Sequence, residues 1–156
     1  MESLVAKKFS PEWWLDLRPE QAGKETERLV EALLKERNER LSFAWHRMPD
    51  AKAARGALAA QPADYLVASA GQAFWLEVKA LRHEFRLPRD RLTQLPVLKK
   101  FKLAGMPSIL LVHHYTTQKW RALSAPKLST DVPSWDLRPW VPCDSPEEAL
   151  TILEGF

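Results

Sequence analysis

Cysteine is almost absent from this sequence, and long apolar runs are absent altogether. Cys143 is the only cysteine among 156 residues, which excludes an intramolecular disulfide or a multi-cysteine zinc cluster and fits a reducing cytoplasm. No apolar run approaches the roughly 18–20 residues that a membrane span requires, so no membrane partner is expected. We therefore expect a cytoplasmic protein, and the secreted, membrane and disordered classes are excluded.

The composition is that of an ordinary globular domain. Apolar residues make up 46% of the chain and charged residues 28%, which is typical of a protein that buries its own core. A length of 156 residues predicts a single domain over 1–156, because folded domains most often have about 100–150 residues. We divide it into an N-terminal arm (1–20), a core (21–123) and a proline-rich C-terminal extension (124–156).

Positive charge is small in sum but concentrated in one segment. The net charge is +3, too little to identify a nucleic-acid-binding protein by itself. The segment 79–102 nevertheless holds eight basic residues against two acidic ones. Such a cluster favours binding to a polyanion, because contacts with its phosphates release bound counterions. A solvated basic helix and loop would show the same pattern, so charge alone leaves both interpretations open.

The apolar periodicity predicts a mixed α/β fold. A stripe of small and apolar side chains at about 100° per residue indicates a helix from Ala22 to about Glu39. A second helix is predicted from about Gln94 to Ala104, with Thr93 as its cap. The predicted strands are 41–45, 65–68, 74–79, 108–114 and 119–123, and a short closing helix follows Ser145. The order helix, strand, hairpin, helix, strand, strand predicts one layered structure.

Strands 65–68 and 74–79 form a predicted hairpin, and its register determines whether Asp64 and Glu77 lie on the same face of the sheet. If its loop holds an even number of residues, two or four, Asp64 lies opposite Glu77 with Cβ atoms about 4.5–5.5 Å apart. An odd loop would move Asp64 to the other side of the sheet. The even register also gathers apolar side chains on the opposite face, namely Tyr65, Val67, Phe74, Leu76 and Val78. The apolar pattern therefore favours the register that unites the two carboxylates.

Glu77 and Lys79 are two residues apart on one predicted strand, so their side chains leave the same face. Two carboxylates as close as Asp64 and Glu77 repel unless a cation lies between them, and carboxylate oxygens favour Mg²⁺ or Mn²⁺. A lysine beside such an ion can orient or deprotonate an attacking water, which makes this a candidate site for phosphodiester hydrolysis. Taken alone, Glu77 and Lys79 would more often form a surface ion pair, worth about 0–1 kcal/mol.

Short motifs give this chain a resemblance to a known nuclease superfamily. Pro62-Ala63-Asp64 and, after a twelve-residue gap, Glu77-Val78-Lys79 resemble the PD-(D/E)XK nuclease signature, although the proline stands two residues before the aspartate. Gly23-Lys24-Glu25-Thr26-Glu27 looks like the G-x-x-x-E element of Holliday junction resolvases of the archaeal Hjc and bacterial RecU type. Gln94 is similar to the glutamine that these families place after the motif. The resemblance covers about residues 20–123.

The resemblance implies a fold and a set of site residues. The fold is α/β, a restriction-endonuclease-like core in which helices flank a mixed central sheet. The implied site comprises Asp64, Glu77, the Val78 carbonyl and Glu27 as ligands of Mg²⁺ or Mn²⁺, Lys79 to position or activate the water, and Gln94 to steady the site or contact phosphate. Glu31 competes with Glu27 as the helix ligand; Glu27 borders the apolar stripe, while Glu31 lies about 40° further out.

The resemblance also implies an activity. The expected enzyme is a Mg²⁺-dependent endodeoxyribonuclease of a bacterial, archaeal or phage-infected cell that resolves four-way DNA junctions by paired symmetric nicks. We expect a homodimer, because a four-way junction has two-fold symmetry. The alternatives are another PD-(D/E)XK nuclease, acting on flaps or duplex in repair or restriction, and a non-catalytic DNA-binding module on the same fold. Phosphate contacts are predicted for Lys52, Arg55, Arg82, Arg86, Arg89, Arg91, Lys99, Lys100 and Lys102.

Overall fold

The computed structural model of the chain describes residues 10–49, 61–82 and 85–152. The helices in these ranges are α1 (Pro11–Leu15), α2 (Pro19–Arg37), α3 (Leu95–Leu103) and α4 (Pro146–Ile152). The strands are β1 (Phe43–Arg47), β2 (Tyr65–Ser69), β3 (Gln72–Leu81), β4 (Arg86–Pro88), β5 (Ser108–His114), β6 (Lys119–Ser124) and β7 (Ser134–Asp136). No helix in the described part of the chain is long and apolar enough to cross a membrane.

Five strands form one mixed sheet in the order β1-β2-β3-β5-β6. β3 and β5 are parallel, and the connection between them contains α3, whereas the other neighbouring pairs are antiparallel. Parallel neighbours need such a crossover, because a tight turn can join only antiparallel strands. The predicted mixed central sheet flanked by helices is confirmed. The predicted order helix, strand, hairpin, helix, strand, strand is found for α2, α3 and the five strands of this sheet.

The β2–β3 hairpin has an even loop. Ser69 pairs with Gln72 and Tyr65 pairs with Leu76, which leaves the two-residue turn Ala70-Gly71. Both turn residues have a positive φ, 50° and 84°, as a two-residue turn that follows the twist of its strands requires. Glycine takes this conformation without the steric cost of a Cβ atom. The predicted register is confirmed.

Both faces of the five-stranded sheet are covered. On one face, Val30 and Leu34 of α2 and Leu150 of α4 pack against side chains of the central strands, including Leu76 and Leu111. On the other face, Leu98 of α3, Leu87 of β4 and Trp135 of β7 pack against strand side chains that include Trp75 and Leu110. β5 is buried at every residue, and this burial explains why its sequence is almost continuously apolar rather than alternating.

The proline-rich extension packs back onto the core. β7 pairs with β4 in a second, two-stranded antiparallel sheet, and the Leu137 N–H donates to the Phe85 carbonyl at 2.8 Å. Trp135 and Leu137 are buried. The sequence does not predict this small sheet, because strands of three residues are too short to show an alternation of apolar and polar positions.

Residues 10–20, the described part of the arm, are anchored by Trp14, which is buried. Its ring centroid lies 4.8 Å from that of His113 and 6.1 Å from that of Tyr115. Trp13 packs edge-on against Trp14 at 5.4 Å. The adjacent tryptophans therefore fix residues 10–20 to the core of their own chain, through a short helix that the sequence does not predict.

Several element boundaries differ from the sequence predictions: α2 runs from Pro19 to Arg37 rather than from Ala22 to Glu39, and β3 extends over Gln72–Leu81. β1 runs from Phe43 to Arg47, two residues later than predicted, because Leu41 is fully exposed and the pairing with β2 begins at Phe43. Gln94, not Thr93, occupies the N-cap position of α3. The cap of α4 is as predicted, since the Glu148 N–H donates to Ser145 Oγ at 3.1 Å.

Candidate functional site

Asp64 directly precedes β2, and its side chain continues the pairing to β3. Asp64 Oδ2 accepts the backbone N–H of Val78 at 2.9 Å. The pairing of Tyr65 with Leu76, extended by one residue, places Asp64 opposite Glu77. Because the N–H and C=O of one strand residue point to the same side, the Val78 carbonyl also faces the Asp64 side of β3.

Glu77 lies in the middle of the central strand and is almost completely buried. Its side chain is 2% exposed, and its Oε1 lies 3.1 Å from the Nζ of Lys79, whose side chain is 18% exposed. A carboxylate in such surroundings must be paired, because an unpaired buried charge costs several kcal/mol, on the order of 3–5. Glu77 and Lys79 therefore form a largely buried pair rather than a solvated surface pair.

Burial raises the pKa of both carboxyl groups. For Glu77, burial is the larger cause, the negative charge of Asp64 adds to it, and the pKa rises to about 7 in spite of Lys79. The pKa of Asp64 is also raised by burial, although the Val78 N–H and the Lys79 ammonium oppose the rise. Without a cation, Glu77 therefore takes up its proton at a pH well above that of a solvated glutamate.

One oxygen of Glu77 has no partner. Glu77 Oε2 is buried, and no described residue donates a hydrogen bond to it. An unsatisfied buried acceptor costs about 1–3 kcal/mol, and more when it is charged. A divalent cation between Asp64 and Glu77 would bind this oxygen and would also relieve the repulsion between the two carboxylates. Mg²⁺ and Mn²⁺ prefer such oxygen ligands. The residues present therefore fit the ion that the sequence implies.

Glu27 reaches the edge of this site but is held by Arg47. Arg47 Nη2 lies 3.2 Å from Glu27 Oε2, and the same guanidinium pairs with Glu31. Glu31 also accepts the Tyr65 hydroxyl at 3.1 Å. The pKa of Glu27 is raised by burial and then by the charge of Asp64, and is lowered by Arg47. Of the two candidate helix ligands, Glu31 therefore has two partners, Arg47 and the Tyr65 hydroxyl, whereas Glu27 has the single partner Arg47 among the bonds described above.

Two acids and a lysine meet at the site, and a third acid does not join them. Within 10–49, 61–82 and 85–152, no group of three or more histidine, cysteine, aspartate or glutamate side chains is arranged to hold a metal ion. Asp64, Glu77 and Lys79 come together, and Glu27 forms a salt bridge with Arg47 within the field of Asp64.

Gln94 immediately precedes α3, and its Oε1 is buried with no described hydrogen-bond donor. Three residues earlier, Arg91 Nη2 donates to the Ala80 carbonyl at 3.2 Å. This bond ties the segment before α3 to β3, beside Lys79. A role for Gln94 in steadying the site remains a prediction.

The basic residues predicted to contact phosphate divide into two groups. One group donates to oxygens of this chain: Arg86 to Ser134 Oγ, Arg89 to the Thr130 carbonyl, Arg91 to the Ala80 carbonyl and Lys99 to the Pro126 carbonyl. The other group, Arg82, Lys100 and Lys102, is exposed, and the described ranges offer these charged groups no hydrogen-bond or ion-pair partner. Lys52 and Arg55 lie outside the described residues.

Arg47 is the residue of this site that sequence reasoning misses. The predicted strand ends at Trp45, so Arg47 is not assigned to the sheet. In the structure Arg47 pairs across with Tyr65, next to Asp64. Extending the predicted strand by two residues would have brought an arginine beside the carboxylates, so a signal was present.

No family model matches this chain, and no curated protein sequence matches it. Among solved structures, the chain is similar to that of Archaeoglobus fulgidus Hjc, a Holliday junction resolvase from an archaeal hyperthermophile. The TM-score is 0.48 and the sequence identity 19%, over 72% of this chain and 89% of that chain.

Proposed function

We propose that this chain is a divalent-metal-dependent DNA endonuclease whose active site is formed by Asp64, Glu77 and Lys79. The observation that carries the proposal is the state of Glu77. Its carboxylate is nearly buried in the central strand, with one oxygen on Lys79 and the other without a partner. Buried polar atoms are normally satisfied, so an unsatisfied oxygen beside a second carboxylate indicates a site built to receive a cation.

The groups of this chain divide the tasks of the reaction between them. Asp64 and Glu77 bind Mg²⁺ or Mn²⁺, with the Val78 carbonyl beside them and Glu27 as the proposed additional ligand. When bound, the ion supplies Lewis acidity to the phosphate and favours deprotonation of water. Lys79 uses one of its three N–H donors on Glu77, which leaves the others to orient the attacking water or to bind a phosphate oxygen.

DNA is the proposed substrate because several exposed cations have no hydrogen-bond or ion-pair partner within the described residues. They are Arg82, which is three residues after Lys79, and Lys100 and Lys102 on α3. Such residues contact phosphates and position the duplex without reading its sequence. Cleavage would therefore respond to the shape of the DNA more than to its bases.

A four-way junction is the substrate that we propose, and a homodimer is the proposed assembly. The support is the resemblance of the Gly23–Glu27 segment and of Gln94 to the motifs of junction resolvases. Two symmetric nicks in a two-fold-symmetric junction need two active sites related by one axis. Sedimentation of the protein bound to a junction would give the number of chains in the complex.

The proposed activity is tested with end-labelled four-way junction, flap and linear duplex of matched sequence, each incubated with Mg²⁺ and purified protein. We expect paired nicks at symmetric positions in the junction and little cutting of the duplex. Glu77→Gln is the matched control, because it keeps the size of the side chain and removes its charge. This variant should bind the junction and leave it uncut.

The outcomes separate the competing functions. Equal cutting of junction and linear duplex would contradict the junction as substrate and favour a repair or restriction-like nuclease. Binding of DNA without cleavage by the wild-type protein, with Mg²⁺ or Mn²⁺, would contradict the nuclease and favour a non-catalytic DNA-binding module.

A further inference from the structure

Arg47 is a cation already placed at the edge of the proposed metal site. From the last residue of β1, its guanidinium bridges Glu27 and Glu31 on α2. Its side chain is 54% exposed, whereas those of Glu27 and Glu31 are 27% and 18% exposed. The arginine can therefore move toward solvent more easily than either carboxylate can.

The position of Arg47 lets it neutralise the acids around it. Glu27 and Glu31 are one helical turn apart and would repel without it. Glu27 also lies in the field of Asp64, whose charge raises the pKa of Glu27. A divalent ion on Asp64 and Glu77 would bring two positive charges to the same edge, where they would repel the guanidinium. Glu27 can therefore pair with Arg47 or coordinate the ion, but doing both at once is unfavourable because the two cations repel each other.

We propose that Arg47 is a positioning residue that holds Glu27 away from the metal in the free protein. This inference rests on the proposed function, since it concerns the same metal site. The free protein then binds the ion through Asp64 and Glu77 alone. A DNA phosphate offers Arg47 strong charge-assisted hydrogen bonds, and transfer of the guanidinium to phosphate leaves Glu27 available to the ion. Metal affinity and substrate binding are thereby coupled.

Binding of Mn²⁺ to the metal-free protein without DNA, measured by titration calorimetry, tests this role. Arg47→Gln removes the charge and keeps most of the side-chain length, and we expect Mn²⁺ to bind about tenfold more tightly. Arg47→Lys keeps a positive charge and should bind Mn²⁺ as the wild type does. Arg28→Gln is the matched control; Arg28 pairs with Glu25 on the same helix and is largely exposed, so the affinity should not change.

A double-mutant cycle distinguishes release of Glu27 from a simple loss of positive charge. Glu27→Gln alone should change the Mn²⁺ affinity little, because Glu27 is held by Arg47. If removal of Arg47 frees Glu27 for the ion, the tenfold gain disappears in the variant that carries both Arg47→Gln and Glu27→Gln. An equal gain with and without Glu27 would reveal a field effect only and overturn the proposal.

Transfer of Arg47 to phosphate has its own readout. In EDTA, Arg47→Gln should reduce the salt dependence of DNA binding by about one phosphate contact, and an unchanged slope would overturn the transfer. A failure of the proposed metal-dependent function would give a different result. If neither the wild type nor Arg47→Gln binds Mn²⁺, the metal site itself is contradicted. If the wild type binds Mn²⁺ and Arg47→Gln brings no gain, only the role of Arg47 is wrong. Circular dichroism verifies the fold of each variant.

Discussion

The backbone N–H of Val78 donates to Asp64 Oδ2 at 2.9 Å, so a side chain replaces a backbone acceptor at the start of β2. This bond holds the carboxyl group of Asp64 against the central strand, in the position opposite Glu77. Asp64 therefore has two separable properties, an oxygen that accepts a backbone hydrogen bond and a negative charge that a cation can use.

Substitution of Asp64 should separate these two properties. Asp64→Asn keeps an oxygen for the Val78 N–H and relieves the repulsion with Glu77, so we expect full stability in EDTA and cleavage reduced by orders of magnitude. Asp64→Ala leaves the N–H without its acceptor and should cost a further 1–3 kcal/mol, roughly, of unfolding free energy. Urea denaturation in EDTA measures both values. Equal stabilities of the two variants would contradict the structural role of the bond.

The stability of the metal-free protein should fall as the pH rises. Folding raises the pKa of Glu77 from 4.5 to about 7, so the folded state binds this proton more tightly than the unfolded state does. The resulting stabilisation is complete below the unfolded pKa and is lost as the pH rises through the folded one. We expect a loss of roughly 1–3 kcal/mol between about pH 5 and pH 8, measured by urea denaturation in EDTA.

Glu77→Gln provides the control for this pH dependence. The amide carries no titrating proton, so its stability should vary less between the same two pH values. Mn²⁺ should stabilise the wild type more at the higher pH, because the ion competes with the proton of Glu77. If the unfolding free energy of Glu77→Gln changes with pH as steeply as that of the wild type, the pH dependence belongs to another group.

Lys79 should matter for turnover more than for binding. Lys79→Met keeps the aliphatic part of the side chain and removes the ammonium, and we expect single-turnover cleavage to fall by about 10²–10⁴-fold. Mn²⁺ should bind at least as tightly, because a positive charge beside the ion is gone. Calorimetry and single-turnover cleavage give the two quantities; a loss of Mn²⁺ binding would show that Lys79 maintains the site rather than the chemistry.

Adjacent lysines on α3 should respond differently to truncation. Lys99 donates to the Pro126 carbonyl at 3.0 Å, so Lys99→Ala should lower the unfolding free energy by about 0.5–1.5 kcal/mol. Lys100 is exposed, and Lys100→Ala should leave stability unchanged and reduce the salt slope of DNA binding by about one. Thermal unfolding and binding at several salt concentrations compare them. The reverse pattern would place the DNA on another surface.

Elements that rest on local patterns could be predicted closely. β5 is found at the predicted residues because seven consecutive buried positions leave a near-continuous apolar run. α2 is found because its buried residues recur with the helical period. The hairpin register follows from the same kind of signal, since only an even loop puts Tyr65, Val67, Phe74, Leu76 and Val78 on one face.

Elements that rest on contacts between distant segments could not be predicted in this way. α1 exists because Trp14 packs against His113 and Tyr115, about 100 residues later in the chain. The β4–β7 pair joins strands of three residues whose own sequences carry no period. The salt bridge from Arg47 to Glu27 likewise depends on how α2 crosses the edge of the sheet.

The amino-acid order by itself determined the sheet strands, the hairpin register and hence the meeting of Asp64 with Glu77, because period-two alternation and a short turn act between near neighbours. Only the tertiary structure decided which charged side chains form hydrogen bonds or salt bridges within the chain. Whether an arginine holds a carbonyl, a carboxylate or nothing depends on segments brought together by burial of the core, and no local pattern encodes that choice. The salt bridge between Glu27 and Arg47 is one such choice, because it joins α2 to the end of β1.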